Sequence, residues 1–485
     1  MSPTQMKPEM QSFRTEKEAA EIITRFEKKH QLFSHAVNGV SVWQILRFSV
    51  ASDLQNLPLK NSPIPRAALI RHSLLGMIHL FKRLVSCKKY DYWVSTGVSA
   101  LRFRQGEFFW DIYFDLLISK VPRGLKIQVL NASGYEFQQS HAFRKPDIDI
   151  TVSNLIVRVL ARLLPVKNDL GVFNSISKLI EKDLGLRGYS ENVIRRVFSF
   201  IWWQARLYEL LLWRLKPKVV IVADTGEFAL LLACRRCGVK CIELQHGIQT
   251  PDHPSTLPED ALAHESNLLL PSFWGVFGDY WKERLSGTIM ALKGKIRSVG
   301  TDMIDTYREY RILHFSANPL HPVITLTTQG LDTENLIEFI REFLVISDVE
   351  FCLNVKLHPA YDNSTKSYVD ALGNDERCKI ISGKENPNTY ELIANSDLHL
   401  SIASACHYDA LGLGVPTVVI GLAGHQLMDD LVVRGDASIA MTPQDLAEIV
   451  QGCQFGTASN ETSEKYFKQG FVRNVSELAG IGEYA

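Results

Sequence analysis

No sign of charge prevails in this sequence: 53 Lys and Arg stand against 53 Asp and Glu, a formal net charge of zero. The bulk excess of cations on which nucleic-acid binding draws is therefore missing, and no nucleic-acid partner is expected. Long apolar runs are missing too. No stretch of about 18 uninterrupted apolar residues occurs, so a membrane-spanning helix is not expected. The opening MSPTQMKPEMQSFRTEKEAAEII lacks the basic-then-apolar layout of a secretory signal, which places the protein in the cytoplasm. The glycine fingerprints GxGxxG, Walker A and the nucleophile elbow are absent, which removes the usual support for dinucleotide redox chemistry, P-loop hydrolysis and serine hydrolysis. The eight cysteines (Cys87, Cys234, Cys237, Cys241, Cys352, Cys378, Cys406, Cys453) form no disulfide framework. Scattered mostly inside apolar stretches, they read as reduced, buried thiols. Cys234-x-x-Cys237 with Cys241 has no second Cys/His pair at a useful spacing, and Asp147-Ile148-Asp149 is too short a pattern to stand for a metal site. No metal and no cofactor are expected.

What is present suits a folded chain of two or three domains. Of the 485 residues, 46% are apolar and 22% charged, and domains run to roughly 100–200 residues each. The spacing in EKEAAEIITRFEKKHQLF predicts helix near the start, and three prolines in NLPLKNSPIPR then break it. Residues 1–65 thus form a helical segment and linker. Residues 67–87, AALIRHSLLGMIHLFKRLVSC, carry Arg71, Lys82 and Arg83 and no acid. With Lys88, Lys89, Arg102 and Arg104 they make a positive stretch in a neutral chain, suited to peripheral contact with the inner membrane face; the alternative is a helix packed on the domain. From about residue 90, β-rich runs alternate with helical ones: DYWVST, LKIQVL, VVIVAD, CIELQ and WGVFG, then PVITLTT, EFCLNVKLHP, KIIS, LHLSIA and TVVIG. Within the first series, directly before VVIVAD, RRVFSFIWWQARLYELLLWRL reads as a buried crossover helix ended by Lys216-Pro217. This rhythm predicts an α/β protein with two consecutive parallel-sheet domains, 66–310 and 311–450, and C-terminal helices over 451–485.

In open parallel sheets, ligands bind at the carboxyl ends of the strands, and four such loops carry chemistry. Asp224 and Glu227 follow VVIV as candidate bases, though Asp and Thr before a helix are also common caps. His246, followed by Gly247, follows CIEL with His253 close behind, and imidazole is the side chain best suited to exchange protons near neutral pH. Lys356 and His358 alternate toward one side of an extended segment, where they could meet a phosphate, and Pro359 fixes the turn. Ser401 and Ser404 open a helix in which Asp409 follows, a candidate ligand for ribose hydroxyls. Thr328 and Gln329, at the end of the first strand of the second domain, complete the set.

His246-Gly247-Ile248, Lys356-Leu357-His358-Pro359 and the run from Ser404 to Pro416, in this order over roughly residues 90–450, resemble the GT-B glycosyltransferases of bacterial surface polysaccharide biosynthesis, such as those of capsule and lipopolysaccharide. The resemblance implies two Rossmann-like domains facing across a cleft, with an N-terminal helical extension. It also implies a metal-independent transfer of sugar from a nucleotide-sugar donor to a glycan or lipid-linked glycan acceptor. On the sialyltransferase-like and Kdo-transferase-like branch, which uses CMP-sugars, Asp224 would be the base and His358, Ser401 and Ser404 would hold the donor phosphate, although Thr225 stands where a second acid is expected. The CDP-glycerol glycerophosphotransferases are similar through the His-Gly motif, which would make His246 the base and Lys356, His358 and Ser404 phosphate ligands. There Ser-Ile-Ala-Ser departs from the expected Asp-Tyr-Ser-Ser. UDP-N-acetylglucosamine 2-epimerases share the last motif, with the acid at Asp409 on the ribose. A non-catalytic assembly subunit would have no reason to keep Asp224, His246, Lys356 and His358 together.

Overall fold

The computed structural model describes residues 15–55, 70, 76–78, 80–83, 85, 89–131, 135–167, 170–223, 226–316, 321–330, 332–359, 362, 365–383, 385–452 and 459–482. The proline-rich linker, most of the basic stretch 67–87, Cys87, Cys453, Asp224 and Thr225 lie outside the described residues.

The chain begins with α1 (Glu16–His30), whose start is fixed by a reciprocal cap: Thr15 Oγ1 accepts from the Glu18 amide while Glu18 accepts from the Thr15 amide. A tight antiparallel pair, β1 (Ala36–Val37) and β2 (Val40–Ser41), leads into α2 (Val42–Leu54). Apolar residues at helical spacing, Ile23 and Phe26 on α1 with Trp43, Leu46 and Val50 on α2, are buried against the first domain. A buried polar group joins them: the Trp43 indole and Arg47 Nε donate to Glu27 Oε1 at 2.6 and 2.7 Å.

The first sheet contains β3 (Tyr92–Gly97), β6 (Gly124–Val129), β7 (Ile148–Asp149), β8 (Val219–Val222), β9 (Lys240–Leu244), β10 (Phe273–Val276) and β11 (Ile296–Ser298), all parallel in the order β11-β10-β9-β8-β3-β6-β7. Every residue of β8 is buried, as a strand covered on both faces requires. The crossover helix Glu191–Leu215 covers one face, with Tyr208 edge-on to Trp93 at 6.0 Å, and ends at Lys216 in the left-handed conformation. The opposite face is covered by the last helix, Phe471–Ala479, whose Phe471 and Val475 pack with Tyr92, Val94 and Ile221. The second sheet contains β12 (Val323–Thr327), β13 (Cys352–Lys356), β14 (Cys378–Ile381), β15 (Leu398–Ser401), β16 (Thr417–Ile420) and β17 (Ser438–Ala440), again all parallel, in the order β14-β13-β12-β15-β16-β17. The architecture is thus the expected α/β one: two Rossmann-like parallel-sheet domains facing across a cleft, with an N-terminal helical extension.

Arg102 and Arg104, part of the positive stretch in the sequence, belong to an antiparallel hairpin of β4 (Leu101–Gln105) and β5 (Phe108–Asp111) that follows the carboxyl end of β3. The hairpin is rooted by a fully buried ion cluster in which the Lys126 ammonium lies 2.5 Å from Asp115 and 3.4 Å from Asp111. Burial lifts the Asp115 carboxyl to about 6 despite that ammonium.

The domains are joined by aromatic packing and by the returning C-terminal chain. Tyr280 and Trp281 of the first domain meet Tyr408 of the second and Tyr466 of the tail. The tail crosses so close to Gly278 and Gly300 that a Cβ would come within 2.3 and 1.9 Å of the Lys465 and Lys468 carbonyl oxygens; Gly300 also has φ +82°. Lys126→Met should leave two carboxylates buried and uncompensated and lower stability by about 3–5 kcal/mol, read as a fall in the urea midpoint.

Candidate functional site

Between the carboxyl ends of the two sheets lies a cavity of about 210 Å³. From the first domain it is lined by Arg102, Tyr113, Gln245 and His246, and from the second by Tyr390 and Asp409.

His246 is half-buried in the loop that leaves β9. The preceding residue holds this loop: the Gln245 carboxamide accepts from the Phe277 amide at 3.0 Å and donates to the Gly247 carbonyl at 2.8 Å. The Tyr113 hydroxyl donates to the His246 carbonyl at 3.2 Å. Farther along, Arg47 Nη1 of α2 donates to the carbonyls of Pro254 and Thr256 at 2.5 and 2.8 Å. Burial, and then the His246 and Arg47 charges, hold His253 down at about 4, so His253 stays neutral near pH 7.

Asp409 faces this loop from the helix Cys406–Gly412. Burial pushes its carboxyl up to about 7. Asp302, also on the cavity wall, is raised to about 7, first by burial. The site thus sets carboxyls that hold protons near neutrality beside imidazole.

On the second domain, His358 follows β13, and its amide donates to Thr328 Oγ1 at 3.3 Å. Burial, and next the Arg102 guanidinium from across the cleft, lower its imidazole below the ordinary histidine value, while Asp362 opposes them. Arg102 itself donates from Nε to the Ser99 carbonyl at 2.7 Å. Pro359 packs directly on Gly383, where a Cβ would come within 2.5 Å of the proline ring nitrogen.

The remaining sequence candidates have other engagements. The Lys356 ammonium is buried and donates to the carbonyls of Ser382 and Glu385 at 2.9 and 2.6 Å, because a buried cation needs such partners. Burial lowers it to about 8. The Ser401 hydroxyl donates to the Thr327 carbonyl at 2.7 Å, and Ser404 Oγ accepts from the Cys406 amide as a local cap. Thr328 Oγ1 donates to Asp362 at 2.5 Å, and Gln329 clamps the Ala403 backbone through both its amide nitrogen and oxygen. These contacts tie the hydroxyls and amides to the second-domain loops. Glu227 precedes the helix Phe228–Cys237 and accepts from Ser95 Oγ at 3.2 Å. Asp224 lies outside the described residues. Sequence reasoning missed Tyr113, Gln245 and Tyr390, and gave Arg102 another role; Gln245, adjoining His246 at a strand end, was the one with a local signal.

The raised Asp409 value has a sign that can be checked. Between about pH 4, the ordinary carboxylate value, and pH 7 the folded protein holds a proton that the unfolded chain has released. This contribution to stability is fully present at low pH and is lost as pH rises through 7. Asp409→Asn should therefore be more thermostable than the wild type at pH 8, with the gap closing by pH 4 in thermal melts.

No protein-family model matches the chain, and no curated protein matches it. Among solved structures, it is similar to the UDP-GlcNAc 2-epimerase of Neisseria meningitidis bound to UDP-GlcNAc, at 16% identity and a TM-score of 0.48 over 80% of this chain and 98% of that one. It is similar to the MurG of Acinetobacter baumannii at 14% identity and a TM-score of 0.45, over 80% and 99% of the two chains. It is likewise similar to the wall teichoic acid polymerase TagF at 11% identity and a TM-score of 0.40, over 86% and 98%.

Proposed function

We propose that the chain is a glycosyltransferase that moves a sugar from a nucleotide-activated donor, a CMP-sugar in the favoured form, to a hydroxyl of a surface glycan or its lipid-linked precursor. The observation that carries this reading is the cavity between the sheets, which His246 and Arg102 of one domain line together with Asp409 of the other, while the Arg102 guanidinium also acts on the His358 imidazole. His246 takes the proton of the acceptor hydroxyl. The freed oxygen bonds to the sugar's anomeric carbon as the bond from that carbon to the donor phosphate oxygen breaks, and the electron pair leaves with the nucleotide. Arg102 and His358 meet the charge that grows on the departing phosphate. Asp409 is placed to accept from ribose hydroxyls once ionised. Closure of the cleft excludes the water that would otherwise hydrolyse the donor.

His246 as the base is also the assignment that glycerophosphotransfer from a CDP-glycerol-type donor would use. The two reactions differ in donor: glycosyl transfer consumes a nucleotide-sugar, glycerophosphotransfer a nucleoside-diphosphate alcohol. The test follows donor consumption over both donor classes and identifies the nucleotide released. A nucleotide-sugar should be consumed in an acceptor-dependent way. His246→Ala should lower its turnover by about 10²–10⁴-fold, the range for loss of a general base, with donor affinity little changed. Undiminished turnover in that variant would remove His246 from the mechanism.

A further inference from the structure

The hairpin of β4 and β5 carries a row of rings that the transfer step does not use. Phe103 and Trp110 are register partners, so both side chains emerge on one face of the hairpin. Gln105 and Phe108, paired two residues nearer the turn, share that face. The segment after the short helix Glu136–Ser140 runs alongside β5: the Phe109 amide donates to the His141 carbonyl and the Phe143 amide to the Phe109 carbonyl, each at 2.8 Å. This pairing lays Phe143 flat on Trp110, with centroids 3.5 Å apart and planes within 9°, while Phe108 stands against Phe143 at 80°.

At its inner end the row reaches the cleft. Phe103 meets Tyr307 edge-on at 5.9 Å, and Tyr307 stacks on Tyr390 at 5.9 Å and 16°. Tyr390 lines the cavity between the sheets, as does Arg102, the residue before Phe103. At its outer end the rings are open to solvent: Phe108 is 52% exposed and Phe143 43%. Single exposed apolar side chains are ordinary, whereas clustered ones mark an interaction surface. The neighbours narrow what covers it. Gln105, paired with Phe108, and Glu107 in the turn are both exposed. A bilayer that took up Phe108 would have to take up the adjoining Glu107 carboxylate with it, at the cost of desolvating that charge. A saccharide chain suits both kinds of group: the C–H face of a sugar ring is apolar and lies well on the negative face of an aromatic ring, while its hydroxyls pair with amide and carboxylate groups beside it.

We propose that this row of rings is the acceptor subsite, along which a saccharide chain lies with one sugar stacked in the corner between Phe143 and Phe108 and its growing end past Phe103, toward His246. That the bound saccharide is the acceptor rests on the glycosyl-transfer reading; the binding itself does not.

An array of bacterial surface oligosaccharides and polysaccharides, probed with the full chain, tests the subsite. The chain should be retained on at least one saccharide, whose affinity is then measured by calorimetry. Phe108→Ala removes an exposed ring and should weaken that saccharide about two- to tenfold, the span of one aromatic contact. Phe143→Leu keeps an apolar cover on Trp110 but removes the flat face, and should weaken it by a similar factor. Both variants should keep the unliganded melting midpoint and the nucleotide-induced shift of the wild type. Retention on no saccharide, or unaltered affinity in both variants, would overturn the proposal. So would binding to vesicles of equal phosphatidylcholine and phosphatidylglycerol that Phe108→Ala weakens and Phe143→Leu preserves, since a lipid-docking face tolerates an aliphatic side chain. A nucleotide-induced shift without saccharide binding sinks this subsite alone, and saccharide binding without any nucleotide-induced shift leaves it standing while the donor reading fails.

Discussion

Tyr280 and Trp281 pack on Tyr408 and Tyr466, with ring centroids 4.7–5.7 Å apart in three of these pairs. Aromatic pairs of this kind contribute about 0.5–1.5 kcal/mol beyond their buried area. Arg284 adds hydrogen bonds to the hydroxyls of Tyr280 and Tyr408, and Tyr280 donates to Asp430 at 2.7 Å. The geometry of the cleft depends on this junction, because the residue after Tyr408 is Asp409. A ring locked between the domains thereby sets the position of a carboxyl that faces His246.

The opposing loop is held from the other direction. Gln245 ties its start to Phe277 and Gly247, and Arg47, steadied by Glu27, ties its far end to α2. Breaking the Glu27–Arg47 pair would leave a buried charge, so the extension is energetically bound to the loop that carries His246. In this arrangement the N-terminal helices help to hold the loop that carries His246.

Much of the fold was legible because parallel strands buried on both faces read as short apolar runs. VVIV, CIEL and ITLT stand out in the sequence and form β8, β9 and β12 within a residue or two of the runs. The hairpin β4–β5 was hidden because its alternation, Arg102-Phe103-Arg104, looks like a basic stretch until pairing fixes which side chains turn toward the cleft. The short strands β7 and β17 carry two and three residues, too few for periodicity to register. At the site, the strand-end rule leads to these loops, but a loop's polar residues serve either the ligand or the backbone, and sequence does not distinguish them. Lys356, Ser401 and Gln329 serve the backbone, whereas His246 and Asp409 line the cavity. Arg102 and Tyr390, brought there from distant elements, could be found only once the domains faced each other.

The central claim is that the cleft between the sheets receives a nucleotide whose phosphate lies between Arg102 and His358. Melting the protein with CMP, CDP, UDP and GDP tests it directly, since a ligand that binds only the folded state raises the midpoint. The account predicts that at least one nucleotide, CMP foremost, raises the midpoint, and that Arg102→Ala reduces the shift while leaving the unliganded midpoint in place, because the Arg102 side chain is exposed. No shift with any of the four, or a shift of the same size in Arg102→Ala, would contradict it.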